Sequence, residues 1–362
     1  MVQGLNSFRF FAFFAVFLYH MGIFGFGYMG VHAFFVLSGF LLTPIIVSMK
    51  EHLPTKRFFI NFYGRRSLRI FPLYFFYLLL ISLIAYIAIN YFAYDVGDRF
   101  GRTLEQVVYA ATYTYNFFSM SSAYEQTQTL SHFWSLAVEE QFYLIWPLMI
   151  FLLHKTSVKR ALLFLIISGP IIRFLLGWAV NNDDAGIFYQ LDLTVYTFTF
   201  SNFDAFAIGG FFALYGKQID NKWIILASII LVLLGFVTDY LAGVKFDLLS
   251  LGYHSFMRDG YKYIWGFSLF SVLFGAMLFN ISNKAFFPMI FENPIVAYLG
   301  KISYGLYVYH FPLVWFVGHE LGDMPYYFKA LIILVLSIII SALSYQFLER
   351  RFLRAKDKYF PH

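Results

Sequence analysis

The chain has 362 residues, 60% of them apolar and only 13% charged, and its mean hydropathy is +0.68. Soluble domains carry about a quarter charged and about half apolar residues, so a soluble enzyme, a disordered chain and a nucleic-acid binder are excluded. The absence of Cys excludes disulfides, a thiol nucleophile and thiolate metal sites. The net charge of +6 then reports Lys and Arg kept in cytoplasmic loops before it reports a polyanion partner.

Uncharged runs long enough to span a bilayer, about 20 residues each, predict an all-α, polytopic membrane helix bundle of about ten transmembrane helices. Residues 10–49 hold no Asp, Glu, Lys or Arg and make the first two spans, with Gly22, Gly25, Gly27 and Gly30 at the turn between them. Residues 70–94 make the third span, and residues 132–153 the fourth, with Glu139 and Glu140 inside it. The fifth, 161–180, is interrupted only by Arg173, and the sixth, 202–215, is short with Asp204 near its start. Residues 223–241, 263–281, 295–317 and 327–348 complete the set. The longest outer stretch, 93–131, contains LEQVVYAATYTYNFF (104–118), too short and polar to span and better suited to a re-entrant or surface-lying helix.

About ten spans put both ends on one side, and the positive-inside rule makes that side cytoplasmic. Lys50, Lys56, Arg57, Arg65, Arg66 and Arg69 then crowd the first inner loop. Lys155, Lys159, Arg160, Lys217, Lys222 and Lys284 follow in the others, and Arg350, Arg351, Arg354, Lys356 and Lys358 in the tail. The outer loops keep only Arg99, Arg102, Lys245, Arg258 and Lys262. The expectation is an N-in, C-in multi-pass protein of the cytoplasmic (inner) membrane, its residues 1–362 forming one domain. The first span lacks a small-residue cleavage site and is not a removed signal peptide.

An ionisable residue inside a span is costly and marks a function by default. Arg9 and His20 lie eleven residues apart in the first span, three helical turns plus roughly 20°, so they share a face roughly 16 Å apart along the axis. That distance is of the order of an extended pantetheine arm. On spacing alone the plainer reading is an inner-face anchor and a hydrogen-bonded core histidine. FYGRRSLRIFP (62–72) sets Arg65 and Arg69 on one helix face with Arg66 beside them. Arginine's planar fork suits phosphate oxygens, although topological charge explains the motif equally. Glu139 lies seven residues after His132 and nearly on its face, and Arg173 needs a carboxylate, Glu139 or Asp204. Asp204 precedes the packing glycines of SNFDAFAIGG, and His310 sits beside Tyr307 and Tyr309 with Pro312 ending or kinking the turn. Neither H-x-x-x-H nor H-E-x-x-H occurs, so no metal is expected, and neither a P-loop nor a dinucleotide fingerprint occurs.

Five segments, in order, resemble the acyltransferase family 3 membrane proteins: LNSFRFFAFFAVFLYH (5–20), GYMGVHAFFVLSGFLLT (27–43), FYGRRSLRIFPLY (62–74), HFWSLAVEEQFYLIWPL (132–148) and LGKISYGLYVYHFPL (299–313). The resemblance implies O-acetylation, or another O-acylation, of glycans of the cell envelope or of small molecules, with acetyl-CoA from the cytoplasm as donor. It maps the Arg-x10-His motif to Arg9 and His20 and the inner arginine motif to Arg65, Arg66 and Arg69. Asn6 and Ser7 stand where Asp and Gly are usual, Asn202 stands where an Arg often precedes the Asp, and a stand-alone form without an appended hydrolase-like domain is expected.

Acyl transfer from a thioester to a hydroxyl needs a base, an oxyanion donor and a placed thioester. A neutral imidazole can accept the hydroxyl proton, which makes His20 the expected base. Arg9, Arg65, Arg66 and Arg69 would hold coenzyme A phosphates, and Glu139 would orient the imidazole or balance a buried cation. Ser38, Asn116 and Tyr143 are the oxyanion candidates. Direct transfer and an acyl-histidine intermediate both fit a chain without Cys. The competing class is a transporter or flippase of a lipid-linked or acidic solute, which the buried Arg, Glu and Asp would equally suit; two similar halves would favour it, and none is found.

Overall fold

A chain whose solvent is hydrocarbon has to satisfy every backbone N–H and C=O from within, which leaves helices or a closed barrel. The computed structural model answers with helices and describes residues 3–92 and 99–361. The end of the expected third span and the start of the expected outer stretch, residues 93–98, lie outside the described residues. In chain order the helices are α1 (Gln3–His20), α2 (Met29–His52), α3 (Thr55–Phe92), α4 (Arg99–Ala111), α5 (Tyr115–Phe118), α6 (Phe133–Leu152), α7 (Val158–Asn181) and α8 (Leu191–Thr197). They continue with α9 (Phe203–Tyr215), α10 (Asn221–Leu241), α11 (Lys262–Ser282), α12 (Pro288–Phe291), α13 (Pro294–Lys301), α14 (Ser303–Glu320), α15 (Tyr326–Ser344) and α16 (Arg350–Tyr359).

Seven helical stretches among the described residues are long and apolar enough to cross a membrane: Met29–His52, Thr55–Phe92, Phe133–Leu152, Lys155–Asn181, Asn221–Leu241, Asp259–Ser282 and Tyr326–Tyr359. The protein is therefore an all-helical, multi-pass membrane protein. Three of the expected spans take another form. The first is α1, whose 18 residues include Gln3, Asn6, Arg9 and His20. The sixth is α9, whose 13 residues reach about 20 Å, short of a hydrocarbon core of about 30 Å. The ninth is broken at Ile302 into α13 and α14. The expected first inner loop is also mostly helix. α3 runs for 38 residues, about 57 Å, so the stretch bearing Arg65, Arg66 and Arg69 is a continuation of the third span. The outer stretch forms α4 and α5, broken at residues 112–114 where Tyr113 takes φ 54°.

The contacts gather the residues into two compact units: Met1–Ser48 with Met149–Ser303, and Met49–Leu148 with Tyr304–His362. In the first, α1 docks on α12 and α13. Ser7 donates to the Phe291 carbonyl at 2.6 Å, and Gln3 to that of Glu292 at 2.9 Å. α2 crosses α9 at two glycines: a Cβ on Gly39 would strike the Phe206 backbone, and one on Gly209 the Val36 carbonyl. Only hydrogen at both positions lets the helices touch main chain to main chain. α7, α9 and α11 close around buried Arg173.

In the second unit α3 packs on α4, with the Tyr74 hydroxyl donating to the Ala110 carbonyl at 2.7 Å. The Tyr77 hydroxyl donates to that of Thr129 at 2.6 Å. α6 meets α14 where Ser135 and Tyr307 hydroxyls bond at 2.6 Å. α15 passes through one π-helical turn, Tyr345–Glu349, into α16, which lies along α3. Large apolar side chains left exposed, such as Leu79 and Leu83 on α3, Phe164, Ile167 and Trp178 on α7, and Leu233 and Val237 on α10, would make an aggregating surface in water. In a bilayer they are the lipid-facing belt.

Gly39→Leu should block the α2–α9 crossing and cost about 1–3 kcal/mol as overpacking, read as a lowered melting temperature in detergent. Gly318→Ala, where a Cβ meets nothing within 4 Å, should leave that temperature unchanged or slightly raised.

Candidate active site

α1 is unbroken from Gln3 to His20, so Arg9 and His20 keep the common face and the roughly 16 Å axial separation that a regular helix dictates. Both are half-buried. Arg9 donates to Asn6 Oδ1 at 3.2 Å, one turn earlier. His20 closes the last turn of α1, its ring 5.6 Å from that of Tyr19, whose hydroxyl bonds Ser255 at 3.1 Å. Ser38 is half-buried on α2 in the same unit.

Arg173 and Asp204 form the electrostatic centre of this unit, and both are fully buried. The guanidinium's five N–H donors all find acceptors. Nη1 reaches Asp204 Oδ1 at 3.2 Å and the Ser201 carbonyl at 2.5 Å. Nη2 reaches Asp204 Oδ2 at 2.9 Å and Ser268 Oγ at 2.5 Å, and Nε the Ile264 carbonyl at 3.1 Å. Asp204 is thus the carboxylate that Arg173 takes, not Glu139. Gly169, one turn before Arg173, has no room for a Cβ because Asp204 fills it.

Beside this pair the fully buried His32 stacks on Phe267, ring centroids 4.5 Å apart, and faces Tyr196 at 5.5 Å. Its Nδ1 has no hydrogen-bond partner among the described residues. A second ion pair near the end of α10 joins fully buried Lys262 to Asp239, with the Gly252 carbonyl also accepting from Lys262 at 2.7 Å. His254 Nε2 stands 3.6 Å from Asp239 Oδ2. In this loop burial, reinforced by Asp239, holds the Tyr253 phenol above its ordinary range, and its hydroxyl donates to the Leu231 carbonyl at 2.7 Å.

The second unit brings together four of the expected residues: Arg66, Glu139, Tyr143 and Asn116. Tyr143 donates to Glu139 Oε1 one helical turn away, and the Arg66 guanidinium lies 5.8 Å from the Tyr143 ring centre. Arg66 has Arg69 and Glu139 among its charged neighbours. Gln141 Nε2 bridges the Tyr113 carbonyl at 2.8 Å and Asn116 Oδ1 at 2.9 Å. Glu140, adjacent to Glu139, acts electrostatically on Tyr74 and Tyr113. Burial, then Tyr74 and Glu140, hold the Tyr113 phenol far above its ordinary range, so it stays a protonated donor.

Arg65 behaves differently from its neighbours. Its Nη1 donates to the Phe360 carbonyl at 2.5 Å and its Nη2 to Asp357 at 3.1 Å, so α16 occupies its fork. Asn61 adds a bond to the Pro361 carbonyl at 2.8 Å. His310 is buried on α14 with Nδ1 2.8 Å from the Tyr307 carbonyl. A carbonyl only accepts, so Nδ1 carries the proton and Nε2 is the acceptor nitrogen. His132 lies 5.8 Å away, ring to ring, with its Nε2 bonded to the Val308 carbonyl at 3.1 Å.

His32 escapes a reading of the sequence because a lone histidine in an apolar run looks like core. Tyr113 escapes it because its setting comes from a left-handed backbone. Lys262 and Asp239 read as an outer-loop cation and an unremarked span end, and only the fold joins them. No group of His, Asp or Glu among the described residues has the arrangement of a metal site.

The family model described as an acyltransferase domain, of the acyltransferase 3 type, matches residues 2–346. The O-acetyltransferase OatA of Staphylococcus aureus strain NCTC 8325 / PS 47 is 28% identical over 363 residues, covering 96% of this chain and 56% of that protein. The OatA of Staphylococcus aureus strain MRSA252 matches with the same identity and coverage. The chain spans a little over half the length of these relatives. No solved structure matches it.

Removing one partner of the Arg173–Asp204 pair strands a buried charge, so Arg173→Met or Asp204→Leu alone should cost about 3–5 kcal/mol. The double variant should melt closer to the unchanged protein than either single one in the same detergent.

Proposed function

This chain belongs to the acyltransferase 3 family, and from that premise we propose that it is an integral-membrane O-acyltransferase. It moves an acyl group, acetyl in the first instance, from cytoplasmic acyl-CoA to a hydroxyl of a glycan or another extracytoplasmic acceptor. The likeness to O-acetyltransferases over nearly the whole chain supports this. The observation that carries it is the unbroken α1, which holds a cation and an imidazole on one face at a pantetheine-like separation.

In this reading His20 takes the proton of the acceptor hydroxyl as its oxygen attacks the thioester carbonyl. The C–S bond then breaks, and the departing sulfur leaves as the thiol of coenzyme A with the proton returned by the imidazolium. Within the first unit Arg9 is the donor-binding cation, and within the second Arg66 and Arg69 carry the fixed positive charge that suits phosphate. Arg65 can join them only by giving up Asp357 and the Phe360 carbonyl. Glu139 holds the Tyr143 hydroxyl and balances Arg66 within its own unit. Asn116, whose Oδ1 accepts from Gln141, is the oxyanion candidate of that unit, with Ser38 that of the other.

The protein sits in the cytoplasmic membrane as a single acyltransferase domain with both ends inside. In this reading α1, α14 and the short α9, lengthened by the turn Thr199–Asn202 before it, are counted with the seven apolar stretches as about ten passages. Reporter fusions at residues 157 and 219 should therefore read cytoplasm and a fusion at 250 the opposite side; a reversal at any two sites would sink this topology.

The mechanism is tested on α1. His20→Ala should lower turnover by at least the 10²–10⁴-fold typical of lost general acid–base catalysis, with thermal stability and coenzyme A binding kept. Arg9→Ala should instead raise the KM for acetyl-CoA at least as much as it lowers kcat. Full activity in His20→Ala would remove the histidine from the mechanism and turn attention to His310 or Glu139.

A further inference from the structure

Glu140 Oε2 and the Tyr113 hydroxyl are among the buried polar atoms of the second unit that have no hydrogen-bond partner among the described residues. Such groups are rare in folded proteins and ask for an explanation. They belong to one cluster: Gln141, the residue after Glu140 on α6, donates to the Tyr113 carbonyl at 2.8 Å, and the Tyr113 ring stacks on Tyr74, within reach of the Glu140 charge. The polar groups around them are committed elsewhere. The Tyr74 hydroxyl donates to the Ala110 carbonyl at 2.7 Å, and Tyr143 donates to Glu139. The Gln141 amide spans the Tyr113 carbonyl and Asn116 at 2.8 Å and 2.9 Å.

The backbone supplies an independent sign. Tyr113 holds φ 54°, a left-handed conformation that a bulky residue adopts at a cost and that tends to persist where it serves a site. It is held there by its own N–H, which bonds the Ala110 carbonyl at 2.9 Å, and by its ring, stacked on Tyr74 at 4.4 Å. The backbone and the ring of Tyr113 are thus both fixed.

One of the two atoms is an acceptor and the other a donor, and a single group that satisfies both is a hydroxyl. We infer that Glu140 and Tyr113 form a subsite for a hydroxyl of the acyl acceptor, whose O–H donates to Glu140 Oε2 and whose oxygen accepts from Tyr113. The identification of that hydroxyl with the acceptor rests on the acyltransferase reading; the hydroxyl subsite itself does not.

The test uses the full chain in detergent with glycerol and an N-acetylglucosamine tetramer as probes. Tyr113→Phe and Glu140→Leu each delete one of the two atoms, while Glu140→Gln keeps an accepting oxygen. Probe binding is titrated by saturation-transfer NMR, and release of free coenzyme A from acetyl-CoA is followed with and without probe. Tyr113→Phe and Glu140→Leu should weaken probe binding about tenfold, the scale of one buried hydrogen bond. Glu140→Gln should stay within about threefold, and the KM for acetyl-CoA should hold in all three. The subsite is overturned by an unchanged protein that binds neither probe, or by variants that bind as it does. It is equally overturned by variants that lose probe binding, donor affinity and melting temperature together, as a packing role requires. Selective loss of probe binding in a protein that releases no coenzyme A would keep the subsite and remove the acyltransferase reading.

Discussion

A guanidinium inside a membrane helix bundle has no water to fall back on, and much of the first unit follows from how Arg173 is satisfied. Its five donors draw on α9 through Asp204, on the turn before α9 through Ser201, and on α11 through Ile264 and Ser268. Because those acceptors lie on different elements, the helices cannot slide without stranding a charge, and a stranded charge costs far more in hydrocarbon than in water. Gly169 is the steric side of that constraint, since it lets α7 come close enough for the short Asp204 side chain to reach Arg173, while the Gly39–Gly209 crossing seats α2 on the same α9.

The second unit holds its polar residues unevenly. Glu139 is held by Tyr143 and faced by Arg66, and Arg65 is held by the tail. Glu140 and Tyr113 are not closed off in this way. A fully connected network rigidifies a bundle, whereas a partly connected one leaves chemistry to be completed by something that arrives. Arg173 and Asp204 are the closed case, and Glu140 with Tyr113 is the open one that we propose as a subsite.

The membrane class, the helical architecture and the family-bearing segments were legible in the sequence because each rests on runs of residues. Seven apolar stretches stand out for the same reason. α1 and α9 are harder to read as spans: the first carries Arg9 among other polar groups, and the second is short. Partner choice was not legible. Arg173 had two candidate carboxylates, and only the packing of α7 on α9 selects Asp204. Arg65, Arg66 and Arg69 look alike in FYGRRSLRIFP, yet their fates differ because helical phase turns Arg65 toward α16 and Arg66 toward Tyr143. Tyr113 depends on a backbone conformation that its side chain does not announce.

The π-helical turn between α15 and α16 has a bearing on the end of the chain. One extra residue in a helical turn advances the phase of all that follows by about 100°. Upstream of it the helix shows lipid mostly aliphatic residues such as Leu331, Val335 and Ile339. Downstream, the sequence RRFLRAKDKY has to set a basic face and Asp357 toward a different environment. The turn works as a gear between those two registers, letting one continuous rod serve hydrocarbon along one stretch and the arginine-bearing start of α3 along the next. A single-residue insertion, retained as a bulge, would be the simplest genetic origin of such a gear.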